Sequence, residues 1–160
     1  MLVGCMSNTL SLSKSIPTSC PPVLFAADHK IYLGINNADF TLDNITYKAE
    51  INNALFSEGC KIKDNAFTSI LSLLFVTVPI QENVEMIHLP FYIAMVDVNN
   101  NIRDIQYYSA TGKFNINIET NEKIETDLTN KILLTMPSIN ESFTIIVGFM
   151  LDEKRLKFIN

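Results

Sequence analysis

The side chains able to do chemistry are few and scattered along this chain. Its 160 residues include three cysteines and two histidines. Hydrolytic triads need a nucleophile, a base and an orienting acid, and no serine here stands in a G-x-S-x-G frame. His29 follows Asp28, a neighbour able to set its tautomer, but no third polar group converges on it locally. The pair therefore reads as a turn carrying a solvated histidine. His88 alternates outward beside Pro90 and reads as a surface residue. There is no C-x-x-C, the two histidines share no ligand spacing, and H-E-x-x-H, EF-hand and Walker A patterns are absent. No metal and no cofactor are expected. Glu82 and Glu85 lie in one polar segment, and Glu119, Glu122, Glu125 and Asp127 in another. Glycoside hydrolysis needs two carboxylates facing across a cleft, whereas such sprinkled acids read as a solvated face. No catalytic residue is assigned, and no enzymatic activity is expected.

The cysteines are more informative. Leu2-Val3-Gly4-Cys5 has the order of a bacterial lipoprotein processing site: an aliphatic residue, a smaller one, glycine, then the thiol that is joined to diacylglycerol. The small residues admit a peptidase to the backbone. The charged and apolar regions of an export signal do not stand before Met1, so this reading expects an upstream start or a trimmed signal. Met6–Ser19 is rich in Ser and Thr, carries one charge, and suits a flexible tether. Lipidation at Cys5 would place the protein on the periplasmic face of a bacterial envelope, with the membrane as partner through the anchor. Cys20 and Cys60 enclose a 40-residue interval. In an oxidising compartment a disulfide is their natural state, worth about 4 kcal/mol in the chain-entropy account. Reduced, they would be two small core hydrophobes.

Composition sets further bounds. Hydrophobic residues make up 48% of the chain, charged ones 18%, and the net charge is −5. With a pI near 4.9, a nucleic-acid backbone is not a fitting partner. Five glycines leave little room for phosphate-cradling loops. The mean hydropathy of +0.19 is high, yet the longest nearly apolar stretches, Ile70–Ile80 and Phe143–Leu151, are shorter than the roughly 18–20 residues of a membrane-crossing helix.

The elements that must position these residues have a period of two. Ile45, Tyr47, Ala49, Ile51 and Leu55 alternate with polar partners. Ile87, Leu89, Phe91, Ile93 and Met95 alternate too, with Tyr92, Ala94 and Val96 making the second face apolar. Pro90 cannot donate to a ladder, which argues for an edge or a bulge there. Asn99-Asn100-Asn101 predicts a hairpin turn into Ile102–Ser109. Phe114, Ile116 and Ile118 predict another strand, and Phe143–Met150 a two-sided one. Phe67 to Val78 has helical spacing as well, but its β-branched residues and Pro79 favour a central strand buried on both faces. Val23–Ala27 is the first expected strand, entered through Pro21-Pro22. Asp152 is placed to cap a last helix, Glu153–Ile159. The sum is an all-β chain: an antiparallel two-sheet sandwich, immunoglobulin-like, with a short C-terminal helix. Residues 1–5 are the residual processing signal, 6–19 the tether, and 20–160 the sandwich domain.

Tyr107 and Tyr108 are adjacent on a strand, so they face opposite sides and one of them should be exposed. Together with Pro90 they mark an expected interaction surface, and edge strands there suit strand addition.

Cys20-Pro21-Pro22-Val23, Ala26-Ala27-Asp28, Ala49-Glu50-Ile51, Gly59-Cys60, Pro90-Phe91-Tyr92-Ile93-Ala94-Met95-Val96-Asp97 and Val147-Gly148-Phe149 resemble a group of small, uncharacterised alphaproteobacterial lipoproteins. These have a lipidation cysteine, a short tether and one β-rich domain. The resemblance covers Cys20 to the C-terminus. It implies an envelope location and a structural pairing of Cys20 with Cys60, and it brings no catalytic residues. The functional expectation is a lipid-anchored envelope protein whose sandwich is a protein-interaction or structural module with an envelope protein as partner. The alternative is a periplasmic binding module for a small ligand, peptide or glycan, built on a cavity between the sheets.

Overall fold

A computed structural model describes residues 14–36 and 39–160. In chain order the strands are β1 (Ile16–Pro17), β2 (Val23–Phe25), β3 (Ile31–Ile35), β4 (Ile45–Phe56), β5 (Lys61–Lys63), β6 (Ala66–Pro79), β7 (Met86–Asp97), β8 (Ile102–Lys113), β9 (Thr126–Pro137) and β10 (Phe143–Phe149). Helix α1 (Glu153–Ile159) closes the chain. They form the expected two-sheet sandwich. One sheet has six strands, with β6 at its centre between β9 on one side and β4 and β5 on the other; β3 and β1 lie outside β4 and β5. The second has four, ordered β2-β10-β7-β8. All pairs are antiparallel except β2 with β10, where the N-terminal segment lays itself parallel to the last strand.

Alternation explains the core. Along β6, Phe67, Leu71, Leu73 and Phe75 point inward and are fully buried. From the facing sheet, Ile87, Leu89, Phe91, Ile93 and Met95 of β7 and Ile145, Val147 and Phe149 of β10 meet them. Phe75 touches Phe91 and Phe149 at ring separations of 5.2 and 5.7 Å. Each such side chain contributes about 1.5–3 kcal/mol of burial. The space between the sheets is thus filled. Ser69 and Thr77 are the buried polar exceptions on β6; the Ser69 hydroxyl donates to the Glu58 carbonyl at 3.1 Å and that of Thr77 to the Thr126 carbonyl at 2.7 Å, as burial demands.

Several strand expectations are corrected. Residues 67–78 do form a central strand, but only one face is fully buried; Ile70, Leu74 and Val76 on the other are half-buried and Val78 is exposed. Pro90 is not at an edge: β7 lies between β10 and β8, and the only shift in its pairing with β8 falls between Met95 and Val96. Its carbonyl accepts from the Met150 amide, so its nitrogen faces the same side, just beyond the end of β10, where no ladder donor is needed. Phe114–Ile118 is a loop, with Ile116 bridged to Lys123; Phe114 is buried but Ile118 is 98% exposed. Strand β9, which begins as the acidic segment Glu119–Asp127 ends, was not among the expected strands. Ile16–Pro17, inside the stretch expected to be a tether, pairs with Lys61 and Ile62 of β5. The C-terminal helix forms as read, with the Asp152 carboxylate accepting from the Arg155 amide at 2.8 Å. No helix among the described residues is long and apolar enough to cross a membrane.

Candidate functional site

The outer face of the four-stranded sheet is assembled by register. Leu24, Ile146, Ala94 and Ile105 form one cross-strand row, and Gly148, Tyr92 and Tyr107 the next. Val96 and Ile102 continue the face toward the hairpin. Ala94 is only 3% exposed despite pointing outward, because its taller neighbours surround it, whereas Leu24, Ile102 and Tyr107 are 57, 63 and 62% exposed. The result is an apolar floor with aromatic and aliphatic walls. Patches of this kind on a folded surface mark contact sites.

Glycine shapes one part of it. A Cβ at Gly148 would stand 2.6 Å from the Tyr92 hydroxyl, so only glycine lets that ring lie across β10. The ring meets the edge of His29 at 5.8 Å. His29 Nδ1 donates to the Phe149 carbonyl at 3.0 Å, since a carbonyl only accepts. The histidine is therefore half-buried and oriented by its neighbours, not solvated as expected. Burial pushes the Tyr92 phenol up from its ordinary pKa, which keeps it a neutral donor.

Of the adjacent tyrosines, Tyr107 is the outer one. Tyr108 turns inward and stacks on Phe91 at 5.6 Å. Its hydroxyl donates to Gln106 Oε1 at 2.5 Å, and Gln106 Nε2 donates to Asp104 Oδ2 at 3.0 Å and to the Thr135 carbonyl at 2.7 Å. Burial first, then the Asp104 charge, raises the Tyr108 pKa. This polar ladder ties β8 to β9 across the rim of the sandwich. β8 is an edge strand as expected, but beside Gln106 its neighbour is already β9.

The β7–β8 turn is held by Asp97, whose side chain is 2% exposed. Its Oδ1 accepts from the Asn99 and Asn101 amides, both at 2.9 Å, and Oδ2 meets Asn101 Nδ2 at 3.2 Å and Arg103 at 3.3 Å. Asn100 takes the left-handed backbone, φ 64°. The Asn101 amide, followed by its side chain, the Asn99 amide and Arg103, holds the Asp97 pKa below its ordinary value against the opposing effect of burial.

The remaining expectations fall elsewhere. Cys20 and Cys60 are joined, with Cα atoms 5.2 Å apart. Cys5 lies outside the described residues. His88 is exposed, and its backbone N–H and carbonyl both bond the Tyr47 hydroxyl, at 3.1 and 2.8 Å. Glu82, Glu85, Glu119, Glu122, Glu125 and Asp127 are all exposed. Among the described residues no three His, Cys, Asp or Glu side chains converge as metal ligands. An open cleft of about 600 Å³ lies at one end of the sandwich, between Thr18–Pro22 and Ser138–Phe143.

Reasoning from sequence marked the Tyr107–Tyr108 pair without deciding between them, and missed Leu24, Ile105 and Ile146. Their signal, apolar residues on the second face of β2, β8 and β10, acquires meaning only once the strands are paired. No family model matches the chain, and no curated protein or solved structure matches it either.

Proposed function

We propose that this chain is a lipid-anchored bacterial envelope protein, acylated at Cys5, whose sandwich binds a protein partner through the outer face of the four-stranded sheet. The observation that carries the contact surface is Tyr107, largely exposed on the edge strand β8 at the margin of an apolar face. Tyrosine gives large contact area at low entropic cost together with a polar tip. The Leu2–Cys5 tetrad supports the anchor, and the Cys20–Cys60 bond is compatible with an oxidising compartment.

Labelling with a fatty-acid analogue tests the anchor: label on the full chain and its loss in Cys5→Ser are expected. Absence of label, with unchanged mobility of Cys5→Ser, would end that half of the reading. A photo-crosslinking residue placed at Tyr107 should join the chain in cells to one partner identifiable by mass, and the same residue at Asn53, on the other sheet, should not. Equal capture from both positions would refute the surface assignment. Two free thiols at Cys20 and Cys60 in envelope-extracted protein would contradict the location. The alternative, a periplasmic module for a small ligand, peptide or glycan, rests on a cavity between the sheets; that space is filled, which counts strongly against it, and the open end cleft is the support it retains.

A further inference from the structure

We infer that the outer face of the six-stranded sheet, at the end where the chain enters the fold, rests on an anionic lipid surface. The face is built in register. Lys63, Ala66 and Pro137 form one cross-strand row, Lys61, Thr68 and Thr135 the next, then Ile70 with Leu133, then Leu55, Ser72 and Lys131. All three lysines are exposed, and none of the ion pairs among the described residues engages them. Leu133 is 71% and Leu55 51% exposed between them. No carboxylate stands in these four rows. Glu58 and Asp64 occupy the turns at the margin, and Glu50 and Asp127 belong to the row of Val76 further along.

Three unpaired cations around exposed leucines are unusual on a chain of net charge −5. That combination fits a bilayer surface: the lysine heads remain among anionic headgroups while the leucine side chains dip into the interface. The same lysines would repel a cationic partner, and their spread over three strands gives no pocket for a single small anion. Position agrees. Pro17 of β1 pairs with Lys61, so the entering chain emerges beside this basic end. Cys5 stands nine residues before Lys14, a reach of at most about 32 Å. Lying on this sheet would leave the Tyr107 face, on the opposite side of the sandwich, pointing away from the membrane.

The inference extends the anchored reading but does not need the acyl chain, so the test removes it. Full-length Cys5→Ser protein is sedimented with vesicles of phosphatidylcholine alone and of phosphatidylcholine with phosphatidylglycerol. Binding is expected only to the anionic vesicles, and about 0.5 M salt should abolish it. Each of Lys61→Gln, Lys63→Gln and Lys131→Gln should weaken it about fivefold, and the three together roughly a hundredfold. Lys113→Gln, on the other sheet, should leave it unchanged. Failure to bind anionic vesicles, equal binding to both vesicle types, a triple variant that binds like the parent, or a Lys113→Gln loss as large as the others would each overturn the inference. None of these outcomes bears on acylation at Cys5, which the fatty-acid label reads separately.

Discussion

Removing the Cys20–Cys60 bond is the perturbation whose size follows most directly from the structure. The bond closes a loop of 40 residues, for which the chain-entropy relation gives about 4 kcal/mol of destabilisation of the unfolded state. That is a large part of the ~5–15 kcal/mol by which domains are stable. The loop contains β2, β3 and β4, so the cross-link limits how far the first third of the sandwich can stray when unfolded. Cys60 is 3% exposed, so alanine is the fitting replacement; a serine hydroxyl there would add its own desolvation cost. For Cys20→Ala/Cys60→Ala, followed by circular dichroism during heating, we expect Tm to fall by about 8–16 °C. The parent protein with reductant should fall similarly. Locally, β1 is held by only two paired residues and by the Thr18 amide on the Cys60 carbonyl at 2.9 Å. Limited proteolysis of the variant should therefore cut first between Lys14 and Pro22. A Tm within about 2 °C of the parent would refute the reasoning, because it would mean that the bond constrains little in the unfolded chain.

Three other outcomes can be checked in the same way. Because the folded Asp97 pKa is depressed below 3.8, its stabilisation is present above that pH and lost as pH falls through the folded value. Acid titration of stability should therefore be steeper below about pH 4 in the parent than in Asp97→Asn, and equal slopes would contradict the turn's dependence on that carboxylate. A Cβ on Gly34 would fall within the Tyr47 ring, so Gly34→Ala should cost about 1–3 kcal/mol in denaturant unfolding. Combining it with Tyr47→Leu should cost less than the sum of the two alone. Tyr47→Phe removes the hydroxyl that bridges β4 to the His88 backbone in a part-buried position and should cost about 1–3 kcal/mol, since it leaves backbone groups there without their partner; no measurable loss would show the bridge to be idle.

Much of the fold was legible because alternation is a local property. The inward residues of β6 and β7, and of β4 as far as Ile51, are those that the period of two marks; past the register shift between Ile51 and Asn53, Leu55 turns outward although the alternation places it inside. Asp152 and Asn99–Asn101 do what their side chains favour locally. β9 was legible in principle: Thr126, Ile132, Leu134 and Met136 recur on one face, but the exposed acids before them masked the signal. Phe114–Ile118 carried the same alternation without becoming a strand, because only Phe114 finds a core to enter while Ile116 and Ile118 remain at the surface. Pro90 misled for a related reason. Its missing donor marks a break in pairing, and the position of that break depends on where β10 ends.

The sequence by itself thus determined the fold class, the faces of the long strands, the terminal helix and its cap, and the presence of two cysteines suited to a structural bond. Only the tertiary structure decided that Tyr107 and not Tyr108 looks outward, that Leu24, Ala94, Ile105 and Ile146 form its floor, and that Lys61, Lys63 and Lys131 share a face. Side-chain direction follows from the backbone of a single strand. Which residues become neighbours across strands follows from register, a non-local outcome that the whole core must satisfy at once.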